Sequence, residues 1–170
     1  MAFLETKITH NKFNKKKQYL SFIIFKIIKK IQSSGKFLKF LNLFLKSVFK
    51  IINIIKNKYN IKYSFFEFIF QIINFLAPFC NIKSLKASGR TVLVPTPFRM
   101  QKKAQVAISF LINGFFNRAK KNGFTLIRAI REELLDLYLK NTNSEAFQKK
   151  QEFIRNIFFN EKNLRFLKSL

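Results

Sequence analysis

A chain of 170 residues has the length of one domain, and a hydrophobic fraction of 48%, with 24 phenylalanines, is enough to fill a core. That excludes a wholly disordered basic protein. A net charge of +25 makes a compact state repel itself unless a polyanion supplies counter-charge, and the usual suppliers are nucleic-acid phosphates and anionic lipid.

Of the eight acids only Glu5 and Glu67 precede Glu132. The early chain is therefore almost purely cationic and hydrophobic, whereas Glu132, Glu133, Asp136, Glu145, Glu152 and Glu161 give the late helices a near-balanced surface. One face is expected to meet a polyanion. The longest uncharged runs, Phe68 to Ile82 and Ala104 to Asn117, fall short of the ~18–20 residues that span a bilayer, so no stable membrane insertion is expected. The amino terminus does not read as a secretory signal, because Lys26, Lys29 and Lys30 interrupt the apolar segment and no small-residue cleavage site follows. It also lacks arginine and carries Glu5, which argues against a transit peptide. Heavy use of Lys, Asn, Ile and Phe points to an AT-rich gene of the kind found in organelle genomes.

In chain order, Met1 to Gln18 reads as a basic disordered arm with Lys7, Lys12, Lys15, Lys16 and Lys17. Its His10, the lone histidine, reads as a solvated polar residue. A first helix is expected over Tyr19 to Gln32, with Phe22, Ile23, Ile27 and Ile31 inward. Ser33, Ser34 and Gly35 end it. A second helix runs from Phe37 to Lys56. Its polar stripe is Lys39, Asn42, Lys46, Lys50, Asn53 and Asn57, and the helix is expected to be buried on most of its surface with one cationic edge. Asn57 to Tyr63 reads as a loop, and Ser64 to Leu76 as a third helix ending before Pro78.

Phe79 to Leu85 and Thr91 to Val94 then alternate apolar and polar residues around KASGR, where Gly89 takes positive φ cheaply. This predicts a β-hairpin with Pro78 and Pro95 at its base, since proline is tolerated at strand ends and edges. A lone two-stranded ribbon is marginal in water, so it should lie against something. Thr96 is the expected N-cap of the next helix and Pro97 its first-turn residue. Arg99, Lys102 and Lys103 crowd that helix start, where the helix dipole disfavours cations by roughly 0.3–1 kcal/mol each. Bases there make sense if phosphates bind them together with the free backbone N–H groups. Val106, Ala107, Phe110, Leu111 and Gly114 supply a packing face.

Phe124 to Lys140 reads as a further helix, with Thr125 as N-cap and Leu126, Ile127, Ile130, Leu134 and Leu137 inward. Asn141 to Ser144 is a polar turn. A last helix spans Glu145 to Phe159 and can continue to Leu167. The expected fold class is mainly α, a bundle of about six helices with a protruding two-stranded β-hairpin between the third and fourth. The domain reading is a basic arm over 1–18 and one helical polyanion-binding domain over 19–170, with its hairpin at about 79–95.

No enzyme and no cofactor are expected. Cys80 stands alone, which leaves neither a disulfide framework nor metal-ligand spacing. There is no glycine-rich phosphate loop and no His or Cys constellation. Glu132, Glu133 and Asp136 lie beside Arg128 and Arg131, where i, i+3 and i, i+4 ion pairs are expected. The candidate cations for a polyanion such as RNA are Lys12, Lys15, Lys16, Lys17, Lys26, Lys29, Lys30, Lys36, Lys83, Lys86, Arg90, Arg99, Lys102, Lys103, Arg118, Lys149, Lys150 and Arg155.

The segment PFCNIKSLKASGRTVLVP resembles the small-subunit ribosomal protein seven family, which reads P-x-V-E-V-K-S-R-R-V-G-G-x-T-Y-Q-V-P at the same length. Pro78, Lys83, Ser84, Lys86, Gly89, Thr91, Val94 and Pro95 match or are conservative. Arg99, Lys102 and Lys103 fall where the family has its basic helix start. AQVAISFLINGFFNR, Glu133-Leu134 and AFQKKQEFIRNIFFN resemble the segments that follow, so the resemblance covers about Pro78 to Phe166. Earlier, the SSGK of Ser33 to Lys36 resembles the turn between the first two family helices. Asn81, Ser88, Val92, Leu93 and Ile154 depart from the family pattern.

The resemblance implies a small-subunit ribosomal protein that binds the 3′ major domain of the rRNA and nucleates head assembly. Its hairpin would lie near the tRNA exit site, with neighbouring ribosomal proteins including protein eleven, tRNA and mRNA as partners. Combined with the AT-rich gene, it implies the small subunit of a mitochondrial ribosome rather than a plastid one. The alternative is a basic peripheral membrane protein of an organelle, with its hydrophobic early helices lying on anionic lipid.

Overall fold

Isoleucines at Ile23, Ile24, Ile27, Ile28 and Ile31 recur at helical spacing, and all five are buried on one face of the first helix, α1, over residues 21–31. The computed structural model describes residue 18 and residues 21–32, 35–87 and 89–167. Gln18 already has helical backbone, and its carbonyl accepts from Ser21 Oγ at 2.8 Å. Phe22, expected inward, is instead 51% exposed on the opposite face. The contacts divide into two compact units, one within residues 1–72 and one within 73–170.

In the first unit, Gly35 at φ 71 turns the chain into α2, Phe37–Tyr59. The rings of Phe25 and Phe37 meet at 5.6 Å across that turn. α2 buries Phe44, Ser47, Val48, Ile51, Ile52 and Ile55. All six residues of its expected polar stripe are exposed, but so are Leu38, Phe49 and Ile54, so less of the helix is buried than its composition suggests. It also runs a turn beyond the expected end. Asn60 adopts φ 55 and donates its N–H to the Lys56 carbonyl at 2.9 Å. Lys56 and Lys58 sit favourably at this negative helix end.

The third helix, α3, is Phe65–Leu76. Its start is a capping box: the Ser64 N–H donates to Glu67 Oε2 at 3.0 Å, and the Glu67 N–H donates to Ser64 Oγ at 3.2 Å. One of the two early acids is thereby a helix cap. The unit boundary falls within α3, between Ile72 and Ile73.

In the second unit, β1 (Cys80–Ala87) pairs antiparallel with β2 (Arg90–Pro97). The register runs from Cys80↔Pro97 to Ala87↔Arg90, and Gly89 at φ 76 serves the turn. Both strands are longer than expected, so Pro95, expected at the base of the hairpin, lies within β2 opposite Ile82, and Pro97 takes the base position opposite Cys80. A two-stranded ribbon has an open edge on each strand, so a missing N–H need not break a ladder. Thr96 is consequently not an N-cap. It pairs with Asn81 in the ribbon, 8% exposed, and its Oγ1 has no hydrogen-bond partner among the described residues. The N-cap position falls to Arg99 (φ −71, ψ 140), and Pro97 precedes the helix.

α4 is Met100–Asn122, α5 is Leu126–Tyr138 and α6 is Glu145–Phe159. Thr125 holds the N-cap position of α5 without a side-chain hydrogen bond, while Ser144 Oγ caps α6 by accepting from the Phe147 N–H at 3.1 Å. The α6 bounds agree with the sequence reading. Its expected continuation is a separate 3-10 segment, Glu161–Leu167, set off at Asn160. Six α-helices with a hairpin between the third and fourth make the described fold mainly α.

α4 packs on both α5 and α6. The close approach needs Gly114, where an added Cβ would lie 2.8 Å from Glu133 Oε1 and 3.0 Å from the Ala146 backbone nitrogen. Phe110 and Phe153 meet at 5.6 Å, and Phe75 stacks on Phe147 at 5.4 Å. Ion pairing here differs from the sequence expectation. Arg128 does pair with Glu132 at i, i+4. Glu133 and Asp136, however, are held by Arg118 from α4 rather than by neighbours on their own helix. Arg131 Nε has no hydrogen-bond partner among the described residues.

Candidate nucleic-acid interface

In the first unit the exposed face of α1 carries Lys29 and Lys30, with Lys26 half-buried beside them and its Nζ 4.2 Å from the Phe22 ring centroid. Lys36 is exposed at the N-cap position of α2, which has no side-chain cap hydrogen bond and no acid in its first turn. Lys39 follows at once, and Lys46 and Lys50 extend the cationic edge. Periodicity and breakers alone do not mark the cationic, uncapped start of α2. The visible signal was Lys36 and Lys39 flanking the first turn with no acid between them. Lys12, Lys15, Lys16 and Lys17 lie outside the described residues.

In the second unit the ribbon presents Lys83, Lys86 and Arg90, all exposed. Strand alternation and the register put Lys83 and Arg90 on one face and Lys86 on the other. The ribbon rests on the chain's end: β2 packs against the 3-10 segment and β1 against α6. Asn163 Nδ2 donates to the Leu93 carbonyl at 2.9 Å. Phe79 and Phe158 bring their rings to 6.3 Å at the base.

α4 opens without a side-chain cap and without a first-turn acid. Its first N–H groups have no intrahelical acceptor. Arg99 and Lys102 are exposed there and Lys103 is half-buried. By contrast, α3 and α6 begin with an oxygen cap and an acid in the first turn. The α4 start therefore combines positive side chains with the positive end of a helix, an arrangement suited to a phosphate group.

On α6, Arg155 is exposed and Lys149 half-buried. Lys150 turns inward: its Nζ donates to the Phe75 carbonyl and lies 4.7 Å from the Phe75 ring centroid. Burial, and then the nearby Lys103 charge, lower its pKa below the usual 10.5.

Arg118 does not join these cations. It is 8% exposed, and two of its three guanidinium nitrogens are hydrogen-bonded. Nε pairs with Glu133 Oε2 at 2.9 Å, and Nη2 binds Asp136 Oδ2 at 2.6 Å and the Asn143 carbonyl at 2.9 Å. Its role is to tie α4 to α5 and to the turn before α6, and its third nitrogen, Nη1, lies 4.0 Å from Glu132 Oε2. Glu132 pairs with Arg128 and Glu145 with Lys121, so four of the six late acids are ion-paired within the unit, sharing three cations. The ribbon and α4-start cations Lys83, Lys86, Arg90, Arg99 and Lys102 have no ion pair among the described residues, so they add unscreened positive charge to this surface.

Among the described residues no group of His, Cys, Asp or Glu is placed to hold a metal ion, and no helix is long and apolar enough to cross a membrane. No curated protein matches the chain. The family model for Ribosomal protein S7p/S5e matches residues 4–156, taking in the amino-terminal half, where the sequence resemblance rested on the SSGK turn. On a match of that extent, carried by a helical fold with a basic ribbon and a cationic helix start, the chain belongs to the Ribosomal protein S7p/S5e family, non-enzymatic small-subunit ribosomal proteins that bind rRNA and neighbouring ribosomal proteins.

Proposed function

We propose that this chain serves the small subunit of a mitochondrial ribosome, where it binds the 3′ major domain of the rRNA and nucleates assembly of the head. In this reading the ribbon lies near the tRNA exit site, within reach of mRNA, and protein eleven is a neighbour. Residues 19–170 act as one rRNA-binding domain, and the basic arm of 1–18 adds Lys12, Lys15, Lys16 and Lys17 to its phosphate contacts. The remaining contacts come from Lys26, Lys29, Lys30, Lys36, Lys83, Lys86, Arg90, Arg99, Lys102, Lys103, Lys149 and Arg155.

The observation that carries the RNA reading is the α4 start. A helix selected for stability alone would place acids there, and this one places Arg99, Lys102 and Lys103 beside free N–H groups. Recognition is by phosphate position and RNA shape, as for folded RNA generally. The test is the triple variant Arg99→Glu, Lys102→Glu, Lys103→Glu, assayed against a 3′ major domain fragment. Binding is expected to disappear while circular dichroism and the unfolding midpoint are kept; wild-type binding by a folded variant would contradict the proposal.

One observation favours the alternative of peripheral membrane attachment: the outward face of α1 combines Phe22 and Phe25 with Lys29 and Lys30, a pattern suited to an anionic lipid surface. Fractionation separates the readings. A ribosomal protein sediments with the small subunit in an RNase-sensitive manner, whereas a peripheral membrane protein stays with the membrane fraction after RNase and is released by high salt or carbonate.

A further inference from the structure

A two-stranded ribbon with exposed cations is a poor ligand for RNA unless its pose is fixed, because ordering it on binding weakens affinity. Here the pose is fixed from one short stretch of chain. Phe158, in the last turn of α6, meets Phe79 at the foot of β1, with ring centroids 6.3 Å apart. Five residues on, Asn163 Nδ2 donates to the Leu93 carbonyl of β2 at 2.9 Å. Leu93 pairs with Ser84 across the ribbon and lies one residue from Val94, the partner of Lys83.

Asn163 is itself anchored to the helix. Its backbone N–H donates to the Asn160 carbonyl at 3.0 Å, and its Nδ2 lies 3.3 Å from Asn160 Oδ1. Asn160 Nδ2 in turn donates to the Asn156 carbonyl at 2.7 Å in the last turn of α6. A polar relay thus runs from Asn156 through Asn160 and Asn163 to the edge of β2. Covering that edge also protects it from pairing with another strand.

We infer that Asn163 is the positioning residue of the ribbon: through the Leu93 carbonyl it holds Lys83 and Arg90 in the pose that engages RNA, without contacting RNA itself. The inference rests on the rRNA-binding reading above.

The experiment compares Asn163→Ala, Asn163→Asp and Asn163→Gln, alone and with the neutralised ribbon Lys83→Ala, Lys86→Ala, Arg90→Ala. Readouts are affinity for a 3′ major domain rRNA fragment and hydrogen exchange of ribbon amides in the free protein. Asn163→Ala and Asn163→Asp, which both lack the amide donor, are expected to bind roughly tenfold more weakly. They should exchange ribbon amides faster while α4–α6 stay protected. Asn163→Gln, which keeps a donor, should restore much of both. Adding Asn163→Ala to the neutralised ribbon should cost little more, because the two act through the same contacts. Wild-type affinity in Asn163→Ala, or fully additive losses, overturns the inference. If wild-type protein fails to bind the fragment, the RNA reading has failed, and unchanged ribbon exchange in Asn163→Ala would overturn the positioning role separately.

Discussion

Arg118 Nε lies 2.9 Å from Oε2 of Glu133, and that carboxylate has no exposed surface. The other carboxylate oxygen, Oε1, accepts from Ser144 Oγ at 2.7 Å and from the Ala146 N–H at 2.8 Å. Glu133 thus sits at the N-terminus of α6, where the helix end favours negative charge. One ion pair ties α4, α5 and the start of α6 together. Both carboxylate oxygens are hydrogen-bonded, Oε2 also accepting from the Glu145 N–H at 3.4 Å, which is the condition under which a buried ion pair is tolerated.

Removing one partner of this pair strands a buried charge. Arg118→Ala should destabilise the folded protein by about 3–5 kcal/mol, read from chemical denaturation. A loss below about 1 kcal/mol, the scale of an exposed ion pair, would show that Arg118 is not the buried link described here.

Gly114 tests the same junction from the packing side. Gly→Ala inside a helix gains about 1 kcal/mol of propensity. Here the new methyl would meet Glu133 Oε1 at 2.8 Å and the Ala146 backbone at 3.0 Å. Neither can move without breaking the hydrogen bonds of Glu133, so a strain of about 1–3 kcal/mol should outweigh the gain. Gly114→Ala is expected to lower the thermal midpoint, and a raised midpoint would contradict the close helix approach.

Lys150 sets a pH dependence. Its pKa in the folded state is lowered, by burial first and by Lys103 second. Between that value and 10.5 the unfolded chain binds more protons than the folded one, so this group makes stability rise with pH through the window. Below the window the charged, half-buried ammonium is a liability. Lys150→Met keeps the aliphatic stem and should flatten that rise, and Lys103→Ala should shrink it in part. Wild type and Lys150→Met with parallel stability–pH curves would contradict the burial of this lysine.

Much of this architecture is legible in the sequence where the signals are local. The α6 bounds follow from Ser144 and the polar turn before it, and the α2 stripe from Lys39 to Asn57 lies exposed as its spacing requires. Positions set by partners distant in sequence are less legible. Thr96 and Pro97 carry helix-start chemistry, yet strand pairing with Asn81 and Cys80 claims them and moves the α4 start to Met100. The end of α2 depends on Asn60 taking a left-handed conformation, which nothing in its immediate neighbours demands.

The candidate site divides in the same way. The exposed cations at Lys83, Lys86, Arg90, Arg99 and Lys102 could be read from composition and breakers. That Arg118 faces Glu133, fifteen positions later, and that Lys150 turns toward Phe75, are facts of packing. The only sequence trace of the first is a small residue, Gly114, one helical turn before an arginine. Spacing alone pairs Glu133 with neighbours on its own helix, whereas the donors at the start of α6, together with Arg118, claim it instead.

The central claim is that the surface of this chain binds rRNA through many phosphates. Its most direct test is the salt dependence of affinity for a 3′ major domain rRNA fragment. If 6–10 phosphates are neutralised, affinity should fall by about 10³–10⁵ between 50 and 200 mM salt. An affinity nearly independent of salt over that range would contradict the account.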